Sequence, residues 1–315
     1  MKLSLRPLVV RSCRVGVIAA LVCFNAGMIA HADDITLTAG GSFSTATGWS
    51  DGLAPHAGGA YFTGGYNLTT DVSTASFTFG GDSLTVGTGG GVFAIRTTAT
   101  VTVGDLRLNS GGIQNFIGYT PTLAGAITLT GYGQINPSQG RTLRVSATIG
   151  GSGELRAKSG IVVLTSANNY LGGTLVQADT TYGSVLDVQH DGALGSGNVT
   201  LLLGGTSLKL SGGTTNNYIN DSASLILATG IADSSISLSF VGTDAIGSLS
   251  FDGGNTFAAN GTWGAVGSGA THTSSLFTGA GLLLVGASIP EPTTAGLLVG
   301  LGAFVVAIAR RRRMR

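Results

Sequence analysis

Short stretches in which every second residue is apolar, set apart by Gly, Asn, Ser or Thr, run with little interruption from Asp33 to Ser288. Leu84/Val86, Val101/Val103, Leu106/Leu108, Leu143/Val145, Leu186/Val188, Leu208/Leu210 and Ile236/Leu238 are examples. A period of two sends alternate side chains to opposite faces of a strand, one face to a core and the other outward. Thr and Val fill many of the positions between, as suits a pleated surface. No window in this span carries the i, i+3, i+4, i+7 spacing of a long amphipathic helix. The span reads as all-β.

The number of strands decides the architecture. A sandwich or barrel needs tight hairpins, and their Asn-Gly or Asp-Gly turns occur only at Asp51-Gly52, Asp191-Gly192, Asp252-Gly253 and Asn260-Gly261. Glycine fills 53 of 315 positions, about one in six, against a usual share of about 7 %. Short strands with glycine corners fit stacked coils, and the expectation is a right-handed parallel β-helix. At ~20 residues and ~4.8 Å per coil the solenoid would be roughly 60 Å long. An open strand edge at either end would invite end-to-end assembly.

The two ends read differently. Lys2, Arg6, Arg11 and Arg14 precede an apolar run from Val15 to Ala30, and Ala30-His31-Ala32 supplies a small-x-small cleavage pattern. That is the layout of a secretory signal helix, residues 1–32, cut after Ala32 by signal peptidase once the secretion machinery has engaged it. At the other end, Pro290-Glu291-Pro292 precedes an apolar run from Ala295 to Ala309. Arg310, Arg311, Arg312, Arg313 and Arg315 follow. The apolar run reads as a short transmembrane helix, helped across by snorkelling arginines. The basic tail orients its end to the cytoplasm.

This ending resembles the PEP-CTERM sorting signal of Gram-negative bacteria. The resemblance implies that Pro290, Glu291 and Pro292 are read by a membrane-embedded exosortase-type protease over residues 289–315. The prolines suit that role physically, because they hold the segment extended and outside the helix.

With the ends set aside, residues 33–288 carry seven basic residues against fourteen acids, a net of −7. A mildly acidic surface without clustered Lys and Arg argues against nucleic acid as a partner. Cys13 and Cys23 both lie in the signal segment, so no disulfide or thiolate metal site is expected in the mature region. Within it, Ser166–Leu201 resembles the autotransporter-associated β-strand repeat, through Asn168, Tyr170, Gly172, Gly173 and Thr174 and then Ala193, Leu194, Gly195 and Gly197. The segment 246–285, with Trp263 as a lid, resembles the closing unit that follows such repeats. Trp49 opens a matching N-terminal cap.

Chemistry-bearing patterns are few. Gly81-Asp82-Ser83-Leu84 resembles the nucleophile block of the GDSL esterases, and Asp187 to His190 resembles their Asp-x-x-His block. A nucleophilic serine needs a base held on an α/β scaffold, which the all-β pattern does not supply. Asp187, His190 and Asp191 form the one tight cluster of ionisable groups, beside a turn glycine where aspartates serve local hydrogen bonding. Glu154 is the single glutamate of this region, and its Gly150-Gly151-Ser152-Gly153 prefix is read as a corner. His56 and His272 have no partner at ligand spacing.

The sequence therefore sets the expectation of a non-enzymatic, cofactor-free protein of the cell envelope or extracellular matrix, structural or adhesive, with exopolysaccharide or a second copy of the chain as partner. The alternative is an extracellular β-helix that binds or degrades polysaccharide.

Overall fold

A computed structural model describes residues 33–87, 89–179 and 182–286. The signal segment, the Pro290-Glu291-Pro292 motif and the segment read as a transmembrane helix lie outside the described residues. Among those described there is no helix, and none long and apolar enough to cross a membrane.

The chain winds into a β-solenoid. A thirteen-stranded sheet and a ten-stranded sheet are parallel throughout, and successive coils add strands to each in turn. The ten-stranded sheet runs from Gly41–Ser42 to Ser248–Ser250, one strand per coil. Ten coils at about 4.8 Å make a stack roughly 45 to 50 Å long, shorter than the expected 60 Å. The coils are longer than 20 residues as a rule. Register partners in the larger sheet lie as close as Thr142↔Ile161 and as far apart as Ile236↔Phe277.

The larger sheet folds along its length into two faces. Strand Thr100–Leu108 pairs through Val101 and Thr102 with Phe77–Thr78, and through Leu106 to Leu108 with Ser83–Val86. Strand Thr122–Leu129 divides likewise between Thr142–Val145 and Thr148–Gly151. Two stretches that read as separate strands, Val101/Val103 and Leu106/Leu108, are thus one strand with a corner in it. The corner is a β-bulge, where the register slips between Gly125 and Ile127. Gly125 has φ +106°, and a Cβ there would lie 1.9 Å from the Val103 carbonyl oxygen. Only glycine fits that approach.

Inward residues stack coil on coil. Leu143, Val162, Leu186, Leu208 and Ile236 follow one another in register and are all fully buried. Each buried Leu or Ile contributes about 1.5–3 kcal/mol relative to exposure. Without disulfides, this column and the ladders hold the coils.

Both ends are closed by the chain itself. At the first coil, Gly48 to Ser50 turns back over strand Asp33–Thr36. Ser50 N donates to the Thr36 carbonyl at 2.9 Å, and Leu37 bridges Trp49 antiparallel. The Trp49 ring is buried edge-on to Tyr61, 4.7 Å between centroids. Phe43 stacks on Phe93 beneath. At the last coil, Ala258 N donates to the Leu249 carbonyl, satisfying the final strand of the ten-stranded sheet. Trp263 packs on Phe251 at 5.2 Å and stacks on His272 at 4.8 Å. A four-stranded sheet with one antiparallel pair finishes the stack. These segments occupy edges that would otherwise be open to another chain.

Candidate functional site

After Gly151 the face that begins with Asp33–Thr36 and includes Ser83–Val86 loses its strands, and loops take their place at one corner of each coil. Polar side chains then do the stacking. The Asn168 carboxamide is used at both ends: Oδ1 accepts from Ile149 N at 2.7 Å, and Nδ2 donates to the Ala193 carbonyl at 2.7 Å. One coil on, Asp191 accepts from the backbone N–H groups of Thr214, Thr215 and Asn217 at 2.7 to 3.0 Å. One coil further, Asp244 Oδ2 accepts from Ile219 N at 3.2 Å. Asn168-Asn169-Tyr170 recurs two coils later as Asn216-Asn217-Tyr218, and both tyrosines are fully buried. That recurrence is a signal for the corner that the period-two reading passed over.

The carboxylates of this corner have opposite electrostatics. Burial raises Asp191, but the N–H groups of Thr215, Thr214 and Asn217 outweigh it and bring its pKa down to about 2. Asp244 points inward and is fully buried, and its Oδ1 finds no hydrogen-bond partner among the described residues. Desolvation pushes its pKa up to about 8, against the lowering effect of the Ile219 and Tyr218 N–H groups. A carboxyl with a raised folded pKa stabilises the fold fully below its unfolded pKa, and that stability is lost as pH rises through the folded value. Stability should therefore fall between about pH 4 and pH 8 through Asp244, by an order of a few kcal/mol. Thermal melts at pH 5 and pH 8 should show the drop, and Asp244→Asn should flatten it. A wild-type melting temperature that rises across this window would sink the assignment.

Alongside the corner runs a groove. A cavity of about 470 Å³ is lined by Ala126, Thr128, Thr148, Gly150, Asn168 and Asn169, among others. A second, of about 330 Å³, shares Asn168 and Asn169 and continues past Leu171, Ser196, Asn217 and Asn220. Asn169 lies across Gly150, where a Cβ would come within 2.7 Å of its Oδ1. Neither lining contains a charged residue. The Asn169 and Asn217 carboxamides make no hydrogen bond to the protein among the described residues. What the groove offers is amide and hydroxyl hydrogen bonding beside the exposed Leu171 side chain.

The ionisable cluster read from the sequence separates in space. Asp187 sits outward on strand Ser184–Val188, 9 % exposed, and accepts from Gln189 Nε2 at 2.9 Å and Lys209 Nζ at 3.3 Å. Gln189 in turn accepts from Arg144, so this network ties several coils together. Asp191 caps the next loop, and His190 is exposed with Nδ1 2.6 Å from the Asp191 carbonyl oxygen. Ser83 is buried in the strand ladder against Ala60, while Asp82 accepts from Gly58 N. Glu154 pairs with Arg156, whose guanidinium lies 4.0 Å above the Tyr132 ring. His56 meets Asp51 at 3.3 Å. Among the described residues no three His, Cys, Asp or Glu side chains are grouped to hold a metal ion. Ala30, Ala32, Pro290, Glu291, Pro292 and Arg310 to Arg313 fall outside the described residues.

Comparison with protein families finds the PEP-CTERM protein-sorting motif at residues 288–313. No curated protein and no solved structure gives a significant match. The motif implies export and cell-surface sorting through an exosortase-type system. The resemblance of Ser166–Leu201 to the autotransporter-associated repeat finds no support in the family comparison.

Proposed function

We propose that the chain is a structural or adhesive protein of the cell surface or extracellular matrix, without enzymatic activity. The observation that carries this reading is the sorting motif at 288–313, which starts two residues after Gly286, the last described residue of the solenoid. In this reading signal peptidase removes residues 1–32, and the segment 295–309 holds the protein in the membrane with Arg310 to Arg313 on the cytoplasmic side. An exosortase-type protease then acts at Pro290-Glu291-Pro292. The solenoid serves as a stiff module of right-handed coils, with several carboxylates, Asp187 and Asp191 among them, engaged in coil-to-coil contacts.

The uncharged groove favours a second reading, a β-helix that binds extracellular polysaccharide. A degrading member of that class would need convergent carboxylates, and the Asp187 and Asp191 side chains are instead committed to Lys209 and to the loop at Thr214. The intact mass of the protein recovered outside the cell tests the first reading. The expected species begins at Asp33 and lacks Arg310 to Arg315. A full-length C-terminus found only in the inner-membrane fraction would overturn it.

A further inference from the structure

Seven basic residues stand in the described part of the chain, and four are engaged. Arg107 pairs with Asp105, Arg156 with Glu154 and Lys209 with Asp187, while Arg144 donates to Gln189. Arg96, Arg141 and Lys158 have no ion pair or side-chain hydrogen bond among the described residues. In a region with twice as many acids as bases, unpaired cations call for a reason. One of the three, Arg96, lines a cleft, and a second, Arg141, lies beside it.

The cleft, about 310 Å³, opens where the chain leaves the ten-stranded sheet, and Val72, Arg96, Thr98, Ile117 and Tyr119 line it. Arg141, from the next coil, lies beside it: its Nη1 is 3.4 Å from where a Cβ on Gly118 would sit, and Gly118 separates Ile117 and Tyr119 in the chain. The walls are held by buried polar groups. Fully buried Asn115 donates through Nδ2 to the Tyr119 carbonyl at 3.0 Å and to the Thr142 carbonyl at 2.8 Å, and accepts from Ile117 N at 3.0 Å. Buried Thr97 donates to the Ala75 carbonyl at 2.6 Å, tying the Val72 loop to Arg96. On this fixed frame Val72 and Tyr119 are 67 % and 66 % exposed, and Phe116 beside them is half exposed. Lys158 ends the strand three coils beyond Arg96. Asp71, next to Val72 in the chain, accepts from Ser44, and Asp179, on the coil after Lys158, accepts from Ser159 and Tyr182 N.

We infer that this cleft binds a carboxylated polysaccharide. A guanidinium presents a planar fork that matches a carboxylate through two parallel N–H···O bonds. An exposed tyrosine ring offers an apolar face to the C–H side of a sugar and a hydroxyl to its rim. Duplex DNA carries a charge about every 1.7 Å, too dense for two guanidiniums set in a surface of net −7. An acidic glycan, with at most one carboxylate per sugar, spaces its charges widely enough to meet them singly. The inference deepens the surface reading by naming a ligand class, and binding is measured independently of where the cell delivers the protein.

Hydrogen-exchange footprinting of the full chain with polygalacturonate tests it, because protection is located by peptide and the basic ends are read separately. The expected result is protection around 96–98 and 116–119, absent with the fully methyl-esterified polymer and weakened by salt. Arg96→Gln with Arg141→Gln should raise the half-protecting concentration at least tenfold, and Tyr119→Ala should do so by several-fold. Arg96→Lys with Arg141→Lys, which keeps the charge and loses the fork, should fall between. Protection by the methyl-esterified polymer, equal protection by duplex DNA, no protection by any polymer, or indifference to the arginine variants would overturn the assignment. Failure of the surface reading would show instead in the fractionation, with this footprint intact.

Discussion

Replacing Pro290, Glu291 and Pro292 by alanine should move the protein almost wholly from the extracellular or surface fraction to the inner membrane. The reasoning is mechanical as much as recognitional. Two prolines disfavour a helix interior at their own positions and helix at the residue before, so on the sequence reading the motif would set an extended break ahead of the apolar run at 295–309. Three alanines, the best helix formers, would let helix extend through residues 290–292 and remove the extended substrate from the protease. The described solenoid is far from the substitution in sequence, so its folding serves as the control. Immunoblots of fractionated cells should show the variant at normal abundance with an intact basic tail. Normal release of the triple variant would mean that sorting depends on something other than the motif at 288–313.

The second large effect belongs to the bulge that turns the larger sheet. Gly125→Val meets two separate penalties. A φ of +106° lies where an L residue is strained, costing about 1–3 kcal/mol. The new Cβ would also stand 1.9 Å from the Val103 carbonyl oxygen, and forcing atoms into a filled space costs about 1–3 kcal/mol more. A loss of roughly 3–5 kcal/mol is a large part of the stability of most domains. Gly104, at the corresponding bend one coil earlier, has nothing within 4 Å of its Cβ position and no positive φ. Gly104→Ala should therefore melt within a few degrees of wild type, while Gly125→Val should lower the melting temperature sharply or fail to accumulate. Equal behaviour of the two variants would refute the account of the corner.

The parts of this architecture that obey a period of two were legible in the chain. Leu186/Val188 and Leu208/Leu210 announce inward pairs, and the structure sets them in register, coil on coil. The bend in Thr100–Leu108 was not legible, because Gly104-Asp105 looks like a turn between two strands. A bulge lets the ladder continue through the same residues. The local role read for Asp187, His190 and Asp191 fits Asp191, which accepts from loop N–H groups, but their separation in space was not legible. Neighbours in sequence, they are divided by the end of a strand, which sends one carboxylate outward to Lys209 and the other into the next loop. The cleft lined by Val72, Arg96 and Tyr119 was out of reach altogether. Its residues come from different coils, and only the coil lengths between them decide that they meet.

The strand nearest the sorting motif has a consequence for how the molecule bears load. Leu282–Val285 lies between two neighbours, parallel to Thr243–Ile246 on one side and antiparallel to Gly261–Gly264 on the other. Tension entering along its axis from the C-terminal side is shared at once by the hydrogen bonds on both flanks, in shear. The coils behind it, by contrast, are stacked so that each would peel from the next in sequence. If the protein is held from its C-terminal side, as the proposed function has it, the doubly held strand would let a cell tug on it without beginning to unwind the coils.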